Sequence, residues 1–163
     1  MQSTRFTNKE ERMTWGKAGK SILAVAAALA MHAGAWAQTT PVGLWKTIDD
    51  DGTTEKSLVR ISDNAGVLTG RIEKLLDPKT KADAVCDKCT DERKGQPLQG
   101  LVILRHLKHS ADDPEWWEGG DVTDPKNGKV YKARVRTVEG GKKLQLRGYL
   151  GPFYRTQTWI RVE

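Results

Sequence analysis

Strict alternation is the strongest pattern along this chain. Between residues 129 and 138, Tyr131, Ala133 and Val135 fall on one side of an extended segment, and Lys132, Arg134 and Arg136 fall on the other. Successive side chains of a strand point to opposite faces, so this segment has one dry face and one wet face. The following segment repeats the pattern, with Leu144, Leu146 and Leu150 opposed by Lys143, Gln145 and Arg147. Further runs rich in Val, Ile, Leu, Thr, Tyr and Trp lie between turn signals: Asp49-Asp-Asp-Gly52, Asp63-Asn-Ala-Gly66, Asp77-Pro-Lys-Thr80, Asp124-Pro-Lys-Asn-Gly128 and Glu139-Gly-Gly-Lys142. The spacing predicts eight strands, over 43–48, 56–62, 67–76, 99–107, 115–123, 129–138, 142–150 and 153–162. Eight antiparallel strands on short hairpins bury one face most economically by closing into an up-and-down barrel, which also removes both exposed edges. The predicted fold class is therefore all-β. A lipid-spanning barrel needs an apolar outer belt, and the basic face of 129–138 argues against one.

One apolar run breaks the pattern. Lys17 and Lys20 precede Ile22-Leu-Ala-Val-Ala-Ala-Ala-Leu-Ala-Met31, and Ala35-Trp36-Ala37 follows. This is the three-part grammar of a cleaved secretory signal, and its core is too short for a mature membrane helix. The expectation is cleavage after Ala37, a mature chain starting at Gln38, and a periplasmic or secreted location. The stretch before the apolar core is long, and Met13 offers an alternative start. Residues 1–37 carry five Lys and Arg against two Glu, so their removal lowers the formal charge from +6 to +3. The remaining basic residues alternate with acids along the mature chain, and nucleic acid is not an expected partner. Residues 38–163 are enough for a single domain with its own core, and no further stretch approaches the length of a membrane span.

The two ends of the predicted barrel carry tryptophans. Gly43-Leu44-Trp45 opens the first strand and Trp159-Ile160-Arg161 closes the last, which resembles the lipocalin and calycin arrangement. There an indole plugs the closed end and a guanidinium stacks on its face, so Gly43, Trp45, Trp159 and Arg161 are expected to be structural. A wider resemblance rests on Gly43-Leu-Trp45, Gly70-Arg-Ile72, Cys86-Asp-Lys-Cys89, Pro97-Leu-Gln-Gly-Leu101 and Trp117-Glu-Gly119. It continues through Asp124-Pro125, Gly128-Lys129, Tyr131, Leu146-Arg-Gly-Tyr-Leu-Gly151, Thr156-Gln-Thr-Trp159 and Arg161. On these the chain resembles the bacterial domain-of-unknown-function family 2147. The resemblance implies a small exported protein of calycin-like shape and brings no activity or catalytic residues with it.

Cys86-Asp-Lys-Cys89 is compatible with a structural disulfide, a redox pair or half of a metal site. An exported chain favours the disulfide, and no helix start follows a parallel strand here to stabilise a reactive thiolate. His106 and His109 extend the string, but their spacing misses the zinc-finger pattern, and a strand sends the two to opposite faces. No metal or cofactor is therefore expected. No nucleophile elbow, phosphate loop, dinucleotide fingerprint or zinc-protease helix occurs, so no catalytic residue is nominated. Asp124, Pro125 and Gly128 read as a turn, with the Asp side chain bonding its own backbone.

An eight-stranded barrel is wide enough for one small ligand. The segment from about 77 to 98 is longer than a hairpin needs and, tied by the cysteines, could cover the mouth. Candidate lining residues are Trp116 or Trp117, Tyr131, and Arg155, Gln157 and Trp159 on one face of the last strand; that face reads equally well as an outward, solvated one. The expected partner is a small hydrophobic or amphipathic, lipid-like molecule. An envelope protein bound by a side-chain-filled barrel is the alternative, and Gly70, Ala133 and Gly148 are the places where a filled barrel leaves room.

Overall fold

The computed structural model describes residues 40–163. The expected leader, its cleavage site after Ala37 and the alternative start at Met13 lie outside the described residues. Eight strands follow in order: β1 Gly43–Ile48, β2 Glu55–Asn64, β3 Val67–Leu75, β4 Val102–His109, β5 Trp117–Asp124, β6 Lys129–Val138, β7 Lys143–Leu150 and β8 Phe153–Arg161. Each pairs antiparallel with the next, and β8 returns to β1, so the sheet closes as an up-and-down barrel. Among the described residues no helix is long and apolar enough to cross a membrane.

The alternation that predicted the strands also sets their register. Val135 pairs with Leu146, and Leu146 with Gln157; the wet positions pair likewise, Arg134 with Arg147. Two starts come later than expected by two residues or more. β4 begins at Val102 because Gly100 and Leu101 are held by backbone bonds to Ile72 of β3. β5 begins at Trp117 because the amide of Trp116 closes a turn onto the Asp113 carbonyl. The β2–β3 connection is a two-residue turn, Ala65-Gly66, with φ of 53° and 80°, which suits the right-handed twist of the flanking strands.

One end of the barrel is sealed. The Trp45 ring lies under the Arg161 guanidinium, 4.1 Å from ring centroid to Cζ, and its Nε1 donates to the Pro41 carbonyl at 2.7 Å. Arg161 donates to the carbonyls of Gly141 (2.5 Å), Val42 (2.9 Å) and Thr40 (2.6 Å). One planar fork thereby ties the last strand to the entry of the first and to the β6–β7 turn. Gly43 has φ of 140°, and a Cβ there would lie 2.6 Å from both Arg161 Nη1 and the Glu163 carbonyl oxygen. Trp159, Leu144, Val59 and Val135 fill the space above Trp45 in the same buried cluster.

Cys86 and Cys89 form a disulfide, fully buried within the main core cluster. The segment that carries them folds back on itself: Val85 bridges Pro97, Cys86 exchanges backbone bonds with Gln96 and Gly95, and Leu98 donates to Ala84. His106 and His109 stay at the surface. His106 takes a φ of 61°, an irregularity in β4 beside Gly120, where any Cβ would meet the Arg105 carbonyl at 2.0 Å.

Two expected outcomes follow from this core. Trp45→Ala should lower stability by about 3–5 kcal/mol and Arg161→Lys by about 1–3 kcal/mol, read from urea-unfolding midpoints. Equal midpoints for wild type and Arg161→Lys would show that charge alone, without the fork, holds the closed end. Replacing both cysteines by serine should cost at least about 2 kcal/mol, the chain-entropy value for so short a loop, with proteolysis beginning within 77–100.

Candidate functional site

In an up-and-down barrel the connections β1–β2, β3–β4, β5–β6 and β7–β8 share one end, opposite the Trp45 plug. At that end the interior opens into a cavity of about 400 Å³, within the size range of small-molecule sites. Its apolar wall comes from Ile72, Ile103, Val122, Leu146 and Trp159. Gly148 adds open surface, since a Cβ there would make only ordinary contacts, the nearest at 3.5 Å from Tyr131. Leu75, Thr80 and Leu98 bring the β3–β4 segment onto the cavity. That segment also leans on the β5–β6 turn, where Gly128, at φ 74°, allows the Lys88 carbonyl an approach that any Cβ would block.

Polar groups cluster toward the mouth. Thr47 and Ser57 face each other across β1 and β2, with hydroxyl oxygens 2.9 Å apart and the Ser57 amide donating to Thr47 Oγ1 at 3.1 Å. Lys56 bridges two acids, Asp77 at 2.5 Å and Asp49 at 3.9 Å, and Lys126 reaches Asp49 at 3.8 Å. Arg155 pairs with Asp50. Asn127 donates to the Tyr131 hydroxyl at 3.1 Å and to Asp124 at 2.9 Å. The pocket is thus apolar within and ringed by mixed charge at its mouth, the combination of apolar lining and few polar groups usual in small-molecule sites. Two buried polar atoms on lining residues, Trp159 Nε1 and Thr123 Oγ1, have no hydrogen-bond partner.

Of the nominated lining residues, Tyr131, Arg155, Gln157 and Trp159 do line this cavity, so the β8 face that carries three of them turns inward. Trp116 and Trp117 do not line it. Trp116 is buried on the outer wall, beneath the guanidinium groups of Arg134 (4.0 Å), Arg136 (4.8 Å) and Arg147 (4.8 Å). Trp117 packs edge-on against His109, with centroids 4.8 Å apart, and against the core cluster. Gly70 leaves no room for a ligand, because a Cβ there would meet Leu104 at 2.9 Å. Asp124 bonds its own turn as expected, accepting from the amides of Gly128 at its carbonyl and Lys126 at its carboxylate. Sequence reading missed Thr47 and Ser57. The available signal was polar side chains on faces otherwise held by Trp45, Val59 and Ile61.

The carboxylates that brace the β3–β4 segment are held ionised. Asp77 is lowered below the ordinary carboxylate range by its hydrogen bond from Lys56. Asp91 is lowered from 3.8 to about 2, chiefly by the side chain of Arg93, which is itself buried and donates on to the Val102 carbonyl. A folded-state pKa below the unfolded one gives stability that is full above about pH 4 and lost as pH falls through about 2. Hydrogen exchange across the 77–101 amides should therefore accelerate between those values before the barrel strands do. The stability loss in Asp91→Asn should be present at neutral pH and gone at pH 2; a loss that persists there would assign the effect to packing.

The family described as "Uncharacterized protein conserved in bacteria (DUF2147)" matches residues 43–161, nearly all of the described barrel. No curated protein matches the chain. Among solved structures, a protein from the human pathogen Helicobacter pylori, HP1028, described as belonging to the lipocalin family, is similar in fold. Its TM-score is 0.63 at 19% identity, covering 77% of this chain and 84% of that one. That likeness and the Gly43, Trp45 and Arg161 closure agree on a lipocalin-like barrel, and with residues 43–161 matched the chain belongs to the DUF2147 family.

Proposed function

We propose that this protein binds one small amphipathic molecule, of lipid or fatty-acid type, in its barrel and acts without catalysis, in the periplasm or outside the cell. The observation that carries the reading is the cavity of about 400 Å³, apolar within and ringed by charge at its mouth. An anionic head placed at the mouth competes with Asp50 for Arg155, while the apolar tail displaces water from Ile72, Val122, Leu146 and Trp159. The leader read from Lys17 to Ala37 supports the location.

A second reading, an envelope protein-interaction module with a filled barrel, draws support from the closed half. There Trp45, Leu144 and Val135 leave no space and Leu104 occupies the room beside Gly70. The open half favours the ligand reading.

Titration with a dansylated fatty acid tests it. Saturable binding is expected for the wild type, with affinity reduced about tenfold or more in Gly148→Leu, whose new side chain enters the cavity while the unfolding midpoint holds. Absence of saturable binding, together with a native mass spectrum showing no retained small molecule, would move the assignment to the interaction module.

A further inference from the structure

From Lys126 to Arg161 ten Lys and Arg stand against one acid, Glu139. Acids are thus scarce on one sector, the β6–β7–β8 wall, although Arg136 and Arg155 there pair with Glu115 and Asp50 from other elements. Arg134 and Arg147 sit opposite each other in register there, and among the described residues neither has a carboxylate partner; the Nε atom of each is also without a hydrogen bond. Both are held on the Trp116 ring instead, and Arg147 also lies 4.8 Å over Tyr154.

The same sector ends in an apolar tip. The β7–β8 hairpin turns through Gly151 and Pro152, and its flanking residues Leu150, Phe153 and Tyr154 are 65%, 76% and 56% exposed. Isolated exposed apolar residues are ordinary, but three together on a hairpin tip, backed by an acid-poor cationic wall, form a patch with a purpose. This hairpin also borders the cavity, supplying Gly148, Arg155 and Gln157.

We propose that the β7–β8 hairpin docks on an anionic lipid bilayer, with Leu150 and Phe153 entering the interface and the wall's Lys and Arg facing the headgroups. The charge complementarity selects this occupant. A second copy would set like charges against each other, and a nucleic acid has no use for the aliphatic Leu150, while the indole of Trp116 is covered by arginines and closed to base stacking. Docking places the cavity mouth beside the phase in which amphipathic molecules dissolve. This last consequence rests on the ligand reading; the docking itself does not.

Co-sedimentation with vesicles tests the proposal, using the chain as the cell processes it, its N-terminus read by mass. Binding is expected to vesicles of phosphatidylglycerol and phosphatidylethanolamine, to weaken with added salt, and to be absent with phosphatidylcholine alone. The double variant Leu150→Ser, Phe153→Ser should bind at least tenfold more weakly with an unchanged unfolding midpoint, and Lys132→Gln about fivefold more weakly. Equal binding to both vesicle types, indifference to the double variant, or a failure to sediment overturns docking. So does an oligonucleotide that binds while the vesicles do not, or a dimer that the double variant dissolves. Dansylated fatty acid titrated into the same double variant reports separately on the cavity, so loss of one reading is distinguishable from loss of the other.

Discussion

The barrel depends on how its last strand meets its first. β8 pairs with β1 through Trp45 with Arg161 and Lys46 with Ile160, a shorter strand register than that of β7 and β8, which runs from Lys143 and Ile160 to Leu150 and Phe153. The backbone ladder runs on past β8, with the Leu44 amide donating to the Glu163 carbonyl and the Val162 amide donating to the Leu44 carbonyl, and side chains reinforce the seam. Arg161 supplies them by spanning three carbonyls from two separate stretches while its face covers the Trp45 indole. A lysine in its place ends in a compact ammonium without the planar fork that reaches carbonyls on separate stretches, and it could not lie flat on the ring. The closure also explains Gly43, whose missing side chain is what lets the guanidinium reach the Val42 carbonyl beneath it.

Because that end is plugged, free volume is confined to the other. Strand parity then decides what surrounds it: four hairpin connections converge on the mouth, and these are where the chain places Asp49, Asp50, Asp124, Lys126 and the Lys56–Asp77 pair. The site is built from turn residues standing on a rigid sheet, the usual division between scaffold and function. The disulfide belongs to the same arrangement. It gathers the long β3–β4 connection into a buried knot, so that Thr80 and Leu98 reach the cavity from a segment with no strand of its own.

All eight strands were legible because alternation is a local property, expressed most clearly in β6 and β7 where wet and dry faces never mix. What alternation could not give was the side of adjacent, chemically similar residues. Trp116 and Trp117 point in opposite directions in any extended chain, and which of them meets the barrel depends on the turn at Asp113 and on three arginines arriving from β6 and β7. Gly70 failed for a related reason. A glycine in a strand signals a close approach, but the approaching atom was Leu104, one step across an irregular β3–β4 register, rather than empty space for a ligand. On β8, Arg155 and Gln157 share a face with Trp159, and composition alone left that face as readily outward as inward. The pairing of Leu144 with Trp159 and Leu146 with Gln157 turns it in.

The charge pattern shows how a sum over the chain hides a surface. Acids and bases balance well enough along the mature sequence to suggest an unremarkable exterior. They balance, however, between sectors: Asp and Glu gather on the first five strands and their turns, while the last three carry bases nearly alone. Folding an up-and-down barrel maps sequence position onto angle around the axis, so a run of like charge spread over many residues becomes one side of the molecule. The β7–β8 hairpin stands where that cationic side meets the open end, and it is the one connection at the mouth that turns on Leu150, Pro152 and Phe153 instead of Asp, Asn and Lys. The other rim turns are satisfied in water by their own carboxylates, as in the bonds of Asp51 to Thr53 and Thr54 and of Asp124 to Lys126. An apolar turn among polar ones gains nothing from water, and its free energy falls only when something other than water covers it.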